Sequence, residues 1–290
     1  MNRNVFEIEG LECSYPRNGD RSGKVVLRVE KLDIPRGMVT VILGMSGSGK
    51  STLIETLGLM NRTMKKGEIH YFHRIGKITI RPSIWERPAQ LAAIRNSHFS
   101  FIFQQDFLMP YYTPEENMRI GRLIQGRTPE TDGLRNEMVS RCRWMGIDPQ
   151  VLDSQMPADL SVGQRQRISF IRATLKEYDV LFGDEPTGNL DEANAELLLD
   201  VLHESVHQKP ERSAILVSHN IPLSVAKAGC IIVLSQVAGD LYEVSRDHHF
   251  ARVPEGWMNG SGKVYDNTFL ETRIRALVRN HEKTAGTYSF

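Results

Sequence analysis

The chain has 290 residues, 40% hydrophobic and 24% charged, and its 36 basic against 35 acidic side chains leave a formal net charge of +1. That composition supports a sizeable core in one large domain or two smaller ones, and it gives no support to a nucleic-acid role driven by bulk charge, leaving only a local basic patch. Cys13, Cys142 and Cys230 lie far apart with no CxxC pair, which fits a reducing compartment rather than a disulfide framework, and no apolar run approaches the length of a membrane-spanning helix.

The opening MNRNVFEIEG carries acidic residues where a secretory signal would carry its apolar region, so the expected location is the cytoplasm. Any spanning of a membrane then falls to another protein. Phe6 and Ile8, then Leu11, Cys13 and Tyr15, then Val25, Leu27 and Val29, with Leu32 and Ile34 before Pro35, predict antiparallel strands with a turn in PRNGDRSG. Val39, Val41, Ile42 and Leu43 read as a buried strand. It is followed by GMSGSGKST, from Gly44 to Thr52, and by a helix beginning with Thr52, Leu53, Ile54 and Leu57.

That stretch fits the phosphate-binding pattern GxxxxGK[ST] in the strand, loop, helix context its mechanism requires. Gly44, Gly47 and Gly49 let the backbone turn and approach a ligand, so that N–H groups, with Ser46 and Ser48 among them, converge with a helix N-terminus on one anionic pocket. Lys50 is expected to reach the β- and γ-phosphates of ATP, and the Ser51 hydroxyl to hold Mg²⁺.

Residues 67–71 and 77–80 predict a further hairpin, 88–95 a short helix, and Phe99 to Phe103 a strand that ends at Gln104. Thr113, Pro114 and Glu116 combine an N-cap, a proline at the first helical position and an acid three residues after the cap. Residues 106–178 carry helical periodicity and predict a helical lobe inserted in an α/β core. Val180 to Phe182 and Ala214 to Val217 are continuous apolar runs, as buried parallel strands should be.

Open parallel sheets bind ligands at the carboxyl ends of their strands. Here four presumed strands end in a group suited to nucleotide chemistry: the phosphate loop, Gln104, Asp184 with Glu185, and His219. Asp184 is placed to hold Mg²⁺ opposite Ser51. Glu185 is suited to accept a proton from an attacking water, Gln104 to coordinate Mg²⁺ and orient that water, and His219 to bond the γ-phosphate and steady Glu185. Metal-ligating candidates are thus Ser51, Gln104 and Asp184; catalytic candidates are Lys50, Gln104, Glu185 and His219.

LSVGQRQR, residues 160–167, precedes a helix with Ile168, Ile171, Arg172 and Leu175 at helical spacing. Ser161 and Gln164 form a capping box, which on local grounds is simply a good helix start. A second reading sets the Ser161 hydroxyl and the Gly163 N–H against the γ-phosphate of a nucleotide held by another subunit.

Taken in order, GMSGSGKST, FIFQQ, LSVGQRQR, VLFGDEPTGNLD and VSHN resemble the ATP-binding-cassette ATPases over about Val5 to Leu234, most closely the branch of lipoprotein-releasing, macrolide-export and cell-division proteins. The resemblance implies an α/β fold: a P-loop NTPase core with a parallel sheet, an N-terminal antiparallel β subdomain and an inserted helical subdomain. It implies that Tyr15 stacks on adenine, that Asn189, Leu190 and Asp191 form a loop crossing a dimer interface, and that Ser161, Gly163 and Gln164 contact the partner's nucleotide. It also implies an ATP hydrolase that closes as a homodimer around Mg-ATP and drives a separate transmembrane permease, from the cytoplasmic face of the inner membrane and without nucleic acid. The permease would dock on the helical lobe and on Asp106 to Tyr112.

Val162 departs from the family's usual glycine, which implies weakened contact with the partner's γ-phosphate, and the hairpin from His70 to Ile80 is longer than usual. The main alternative, a soluble cassette ATPase acting on nucleic acid or ribosomes, would bring a coiled-coil insertion between Gln104 and Leu160 or a second cassette. A phosphoryl-transferring kinase would leave LSVGQ unexplained. Residues 1–234 are therefore expected to form the ATPase domain and 235–290 an extension, either regulatory or dimer-contacting, or a packed tail. In that extension 247–262 is rich in turn formers, and Thr268 to Glu271 reads as a capping box opening a helix with Leu270, Ile274, Leu277 and Val278 on one face. Neither His70 with His73 nor His248 with His249 has neighbours at metal-ligand spacing.

Overall fold

A computed structural model of the protein describes residues 2–17, 20–127, 131–188 and 190–279, so the tip of the expected PRNGDRSG turn and Asn189 lie outside the described residues. β1 (Asn4–Arg17) pairs antiparallel with β2 (Asp20–Pro35), and the chain then enters β3 (Val39–Leu43), the phosphate loop and α1 (Lys50–Leu57). β4 (Met64–His73) and β5 (Gly76–Ile80) form the expected hairpin and pair beside β1. α2 (Pro88–His98) leads into β6 (Phe99–Ile102).

The helical lobe follows as α3 (Pro114–Ile124), α4 (Thr131–Trp144), α5 (Val151–Ser154) and α6 (Val162–Leu175). Among the described residues of 106–178 there is no strand. Thr113 and Glu116 close a complete capping box with Pro114 in the first turn, as the local sequence predicts. The core then resumes with β7 (Val180–Asp184), α7 (Glu192–Gln208), β8 (Ser213–Val217), α8 (Ile221–Lys227) and β9 (Cys230–Val233). None of the helices is long and apolar enough to cross a membrane, among the described residues.

Strands β9, β3, β8, β7 and β6 lie side by side and parallel, with Val41 opposite both Leu216 and Ile231. Their side chains alternate between two cores. Val39, Val41, Leu43, Leu181, Ala214 and Leu216 face the helical layer, whereas Ile42, Val180, Phe182, Ile215 and Val217 face α1, α2 and the antiparallel sheet. Burial on both faces explains why these strands read as unbroken apolar runs. The second core centres on Phe6, Tyr71, Phe99 and Phe182, whose neighbouring rings lie 5.1 to 6.3 Å apart and join β1 and β4 to β6 and β7.

The C-terminal part is drawn into both sheets. β10 (Ser235–Ala238) and β11 (Leu241–Val244) complete the six-stranded sheet, with β11 parallel to β2. The stretch 247–262, rich in turn formers, contributes strands. β12 (His249–Val253), β13 (Gly256–Asn259) and β14 (Val264–Tyr265) add antiparallel to β9 and widen the core sheet to eight strands. These strands are two to five residues long, too short to show a period, and the buried rings of Phe250 and Trp257 hold them to the core.

α9 (Asn267–Arg279) packs on α8 and buries Leu270 and Ile274. It starts earlier than the Thr268 capping box predicts, because the Asp266 carboxylate accepts the Phe269 N–H at 2.8 Å and so caps the first turn. His248 bonds Ser235 Oγ at 3.0 Å and His249 bonds Cys230 Sγ at 3.1 Å, each ring being spent on its own neighbour.

Candidate active site

The carboxyl end of β3 opens into the phosphate loop. Gly47 has φ 74°, a left-handed turn that a side chain would strain even though a Cβ there would meet nothing within 4 Å. Gly44 is constrained by space instead, since a Cβ would fall 2.6 Å from Ser48 Oγ and 3.2 Å from the Leu234 carbonyl. Gly49 occupies the N-cap of α1, and no side chain caps that helix, so the first-turn N–H groups of Lys50, Ser51 and Thr52 face the loop's concavity. Ser48 Oγ is buried and has no hydrogen-bond partner among the described residues. An anion is what such a cradle of orphan donors accepts.

Lys50 is almost fully buried, and its ammonium donates to the carbonyls of Gly44 at 3.0 Å and Met45 at 2.6 Å. One of its three N–H bonds is left for the cleft. Burial pushes its pKa down, opposed by the carboxylates of Glu185 and Asp184. Ser51 Oγ donates to Asp184 Oδ1 at 3.3 Å, so two side-chain oxygens meet from α1 and from the end of β7. Burial lifts Asp184 above its ordinary pKa; the Ser51 hydroxyl opposes this and the adjacent Glu185 carboxylate adds to it. A hard divalent cation between these oxygens would relieve that penalty, so the residues fit Mg²⁺.

Glu185 has φ 49°, which is uncommon for a residue with a side chain and directs its carboxylate back across the sheet end. There Oε1 lies 2.6 Å from His219 Nε2, a contact between the turns after β7 and β8. Tyr15, 46% exposed, is tethered through its hydroxyl to Thr52 Oγ1 at 3.0 Å. Together Tyr15, Val26, Ser46 to Thr52, Glu185 and His219 line one open cleft of about 280 Å³. Val26 was not legible as a site residue, because only the pairing of β1 with β2 brings it beside Tyr15.

Gln104 does not line that cleft. It borders a separate depression with Gln105, Asp106, Phe107, Val162 and Gln166. It still approaches the Glu185 carboxylate, since a Cβ at Gly188 would lie 3.7 Å from Gln104 Nε2 and 3.8 Å from Glu185 Oε2. Ser161 and Gln164 close their capping box at 2.9 and 3.2 Å, and Ser161 Oγ, used there as an acceptor, retains its O–H as a donor. Ser161 and Val162 are exposed, with Gly163 beside them, and all three stand outside the chain's own cleft. Asp191 also stands outside it and caps α7, accepting the Asn194 N–H at 2.9 Å.

One linkage escaped the sequence. Gln166 Nε2 donates to the Pro186 carbonyl at 3.1 Å, while Arg165 pairs with Asp106 and Arg172 donates to the carbonyls of Asp106 and Phe107. Helix α6 thereby holds both the segment after Gln104 and the segment after Glu185. The signal was the run of Gln and Arg in LSVGQRQR, which local reading assigns to a polar helix face.

The sequence profile of the ABC transporter family matches residues 27–188. The lipoprotein-releasing system ATP-binding protein LolD of Myxococcus xanthus is 35% identical over 225 residues, 77% of this chain and 90% of that one. The macrolide export ATP-binding/permease protein MacB of Photorhabdus laumondii is 34% identical over 229 residues, 79% of this chain, which spans only 33% of that longer protein. Among solved structures, the dimeric post-hydrolysis state of the ATP-binding cassette MJ0796 bound to ADP and Pi superimposes with a TM-score of 0.68 at 24% identity, covering 83% of this chain and 97% of that one. The chain belongs to the ABC transporter family and carries its ATPase cassette.

Proposed function

We propose that two copies of this chain close around two Mg-ATP and hydrolyse them to drive a separate membrane permease, from the cytoplasmic face of the inner membrane. One observation carries the reading. The chain gathers the phosphate loop, Asp184, Glu185 and His219 at one end of the sheet, while Ser161 and its helix start are exposed elsewhere, free to complete the cleft of a second copy. The names of the relatives support the partners: MJ0796 is described as a dimeric cassette, LolD as the ATP-binding protein of a releasing system, and MacB as an ATP-binding/permease protein.

In this reading Lys50 and the N–H groups of α1 hold the β- and γ-phosphates, and Tyr15 carries the adenine. Ser51 and Asp184, joined by Gln104 once its side chain turns from Gly188 into the cleft, would hold Mg²⁺, which would supply neutralisation of charge on the phosphate oxygens. Glu185 takes a proton from water as its oxygen bonds to the γ-phosphorus, the β–γ bridging bond breaks, and ADP keeps the bridging oxygen. His219 holds the Glu185 carboxylate in line.

The test is sedimentation of the Glu185→Gln chain with and without Mg-ATP. A nucleotide-dependent dimer is expected; monomer at all nucleotide concentrations would overturn the reading. Purification in mild detergent should retain an integral membrane protein, and retention of RNA in its place would point to the nucleic-acid alternative.

A further inference from the structure

Glu185 and His219 form a partition with two faces. One lines the nucleotide cleft, and the other opens on a second cavity of about 590 Å³ whose lining reaches as far as Arg275 of α9. That cavity also carries Glu192 from the first turn of α7, with Leu190, Ile221 and Pro222 around it. A helix from the C-terminal extension therefore reaches a space that borders the catalytic pair.

Two features say what fits there. Arg275 is loosely held: its ion pair with Glu271, one turn earlier, spans 3.9 Å, and its side chain is 45% exposed. The groove also presents an exposed carboxylate, Glu192, and an exposed guanidinium, Arg275, with Leu190, Ile221 and Pro222 among its other lining residues. A surface with both charges on one patch is complementary to itself under a twofold axis, since each charge can meet its opposite on the other copy. A nucleotide or phosphate fits less well, because the carboxylates of Glu185 and Glu192 line the cavity against the single guanidinium of Arg275, which already faces Glu271.

We infer that α9 belongs to the dimer surface and that Arg275 of one copy pairs with Glu192 of the partner subunit across this groove. The inference rests on the homodimer reading above and adds to it a contact made by the C-terminal extension. The clamp then closes at a point adjoining His219 as well as at the Ser161 helix start, and the extension takes part in each closure.

The test is charge reversal in the Glu185→Gln chain, with Mg-ATP-dependent dimerisation followed by sedimentation velocity. Arg275→Glu and Glu192→Arg should each weaken the dimer about tenfold or more, through like charges brought together in the closed groove. The double reversal should recover the parent affinity to within about threefold. Arg275→Gln and Glu192→Gln, which remove charge without reversing it and keep a helix-compatible side chain, should each lose about threefold. Nucleotide binding to the monomer at high dilution should be unchanged in every variant, which separates a surface effect from misfolding. Reversals that dimerise like the parent, or a double reversal that recovers nothing, would overturn the pairing. A parent that never dimerises would instead remove the homodimer reading itself, and this inference with it.

Discussion

Glu185 Oε1 and His219 Nε2 stand 2.6 Å apart although 34 residues separate them in the chain. The contact exists because β7 and β8 are parallel neighbours, with Asp184 opposite Val217, so that both following turns emerge at one end of the sheet. A carboxylate held by an imidazole and turned by a left-handed backbone has few other orientations to adopt.

Glu185→Gln should lower kcat for ATP hydrolysis by about 10²- to 10⁴-fold, the usual worth of a general base, while leaving nucleotide affinity within a few-fold of the parent. His219→Ala should lose less affinity than turnover, because the proposed mechanism has it act through Glu185 and the γ-phosphate. Steady-state phosphate release together with equilibrium nucleotide binding checks both; a Glu185→Gln chain that turns over at the parent rate would remove Glu185 from the mechanism.

Asp184 gives a dependence on pH with a definite sign. Burial raises its pKa in the folded chain above the ordinary 3.8, so the proton stays on to higher pH than in the unfolded chain. A divalent cation held by this carboxylate, as proposed, would displace that proton, so cation affinity should strengthen as pH rises through the raised value. Mg²⁺ titration at a series of pH values, with nucleotide present, should show this slope and a proton released. Asp184→Asn should flatten the slope and lower hydrolysis at least about 10²-fold, as expected when a metal-ligating carboxylate is lost.

At the opposite end of β7, Asp179 is 2% exposed and accepts from the Tyr71 hydroxyl at 2.9 Å and from His98 Nδ1 at 2.8 Å, with Arg74 at 3.1 Å. Burial alone would raise its pKa, but the hydrogen bonds from His98 and Tyr71 overcome burial and hold it below the ordinary value. The stability it contributes is therefore present above the unfolded value and is lost as pH falls through the depressed one. Asp179→Ala should destabilise the fold by about 3 kcal/mol, since it strands a buried tyrosine hydroxyl and an imidazole. Urea unfolding at neutral pH measures this, and a midpoint within error of the parent would count against it.

Arg252, from β12, donates to the carbonyls of Val225, Ala226 and Ala228 at the C-terminal end of α8, and its guanidinium lies 4.6 Å from the Trp257 ring. It supplies partners to helix carbonyls that would otherwise lack them, and α8 begins two residues after His219. Arg252→Ala should cost about 2 kcal/mol and lower hydrolysis several-fold through a looser His219, with Arg252→Lys recovering part of the stability. Thermal unfolding and ATPase rate measured on the same samples test the link; a stability loss with an unchanged rate would confine Arg252 to the fold.

Local chemistry makes much of the protein readable from its residues alone. The phosphate loop is legible because Gly44 to Thr52 carries its own turn, helix start and cation within nine consecutive residues. The capping boxes at Thr113 and Ser161 are legible for the same reason, being closed by residues three apart. Strand ends carrying Asp184, Glu185 and His219 follow from buried apolar runs, which parallel strands covered on both faces must show.

What the tertiary structure decided depends on pairs far apart in the chain. Sheet order set Glu185 beside His219, turned Gln104 toward Gly188 rather than into the phosphate cleft, and brought Val26 to the wall beside Tyr15. Three strands of two to five residues after Arg246 have too few positions to display a period, and they became strands because β9 offered an edge and the core took in Trp257 and Phe250. Only that packing carries α9, and Arg275 with it, to the cavity behind Glu185 and His219.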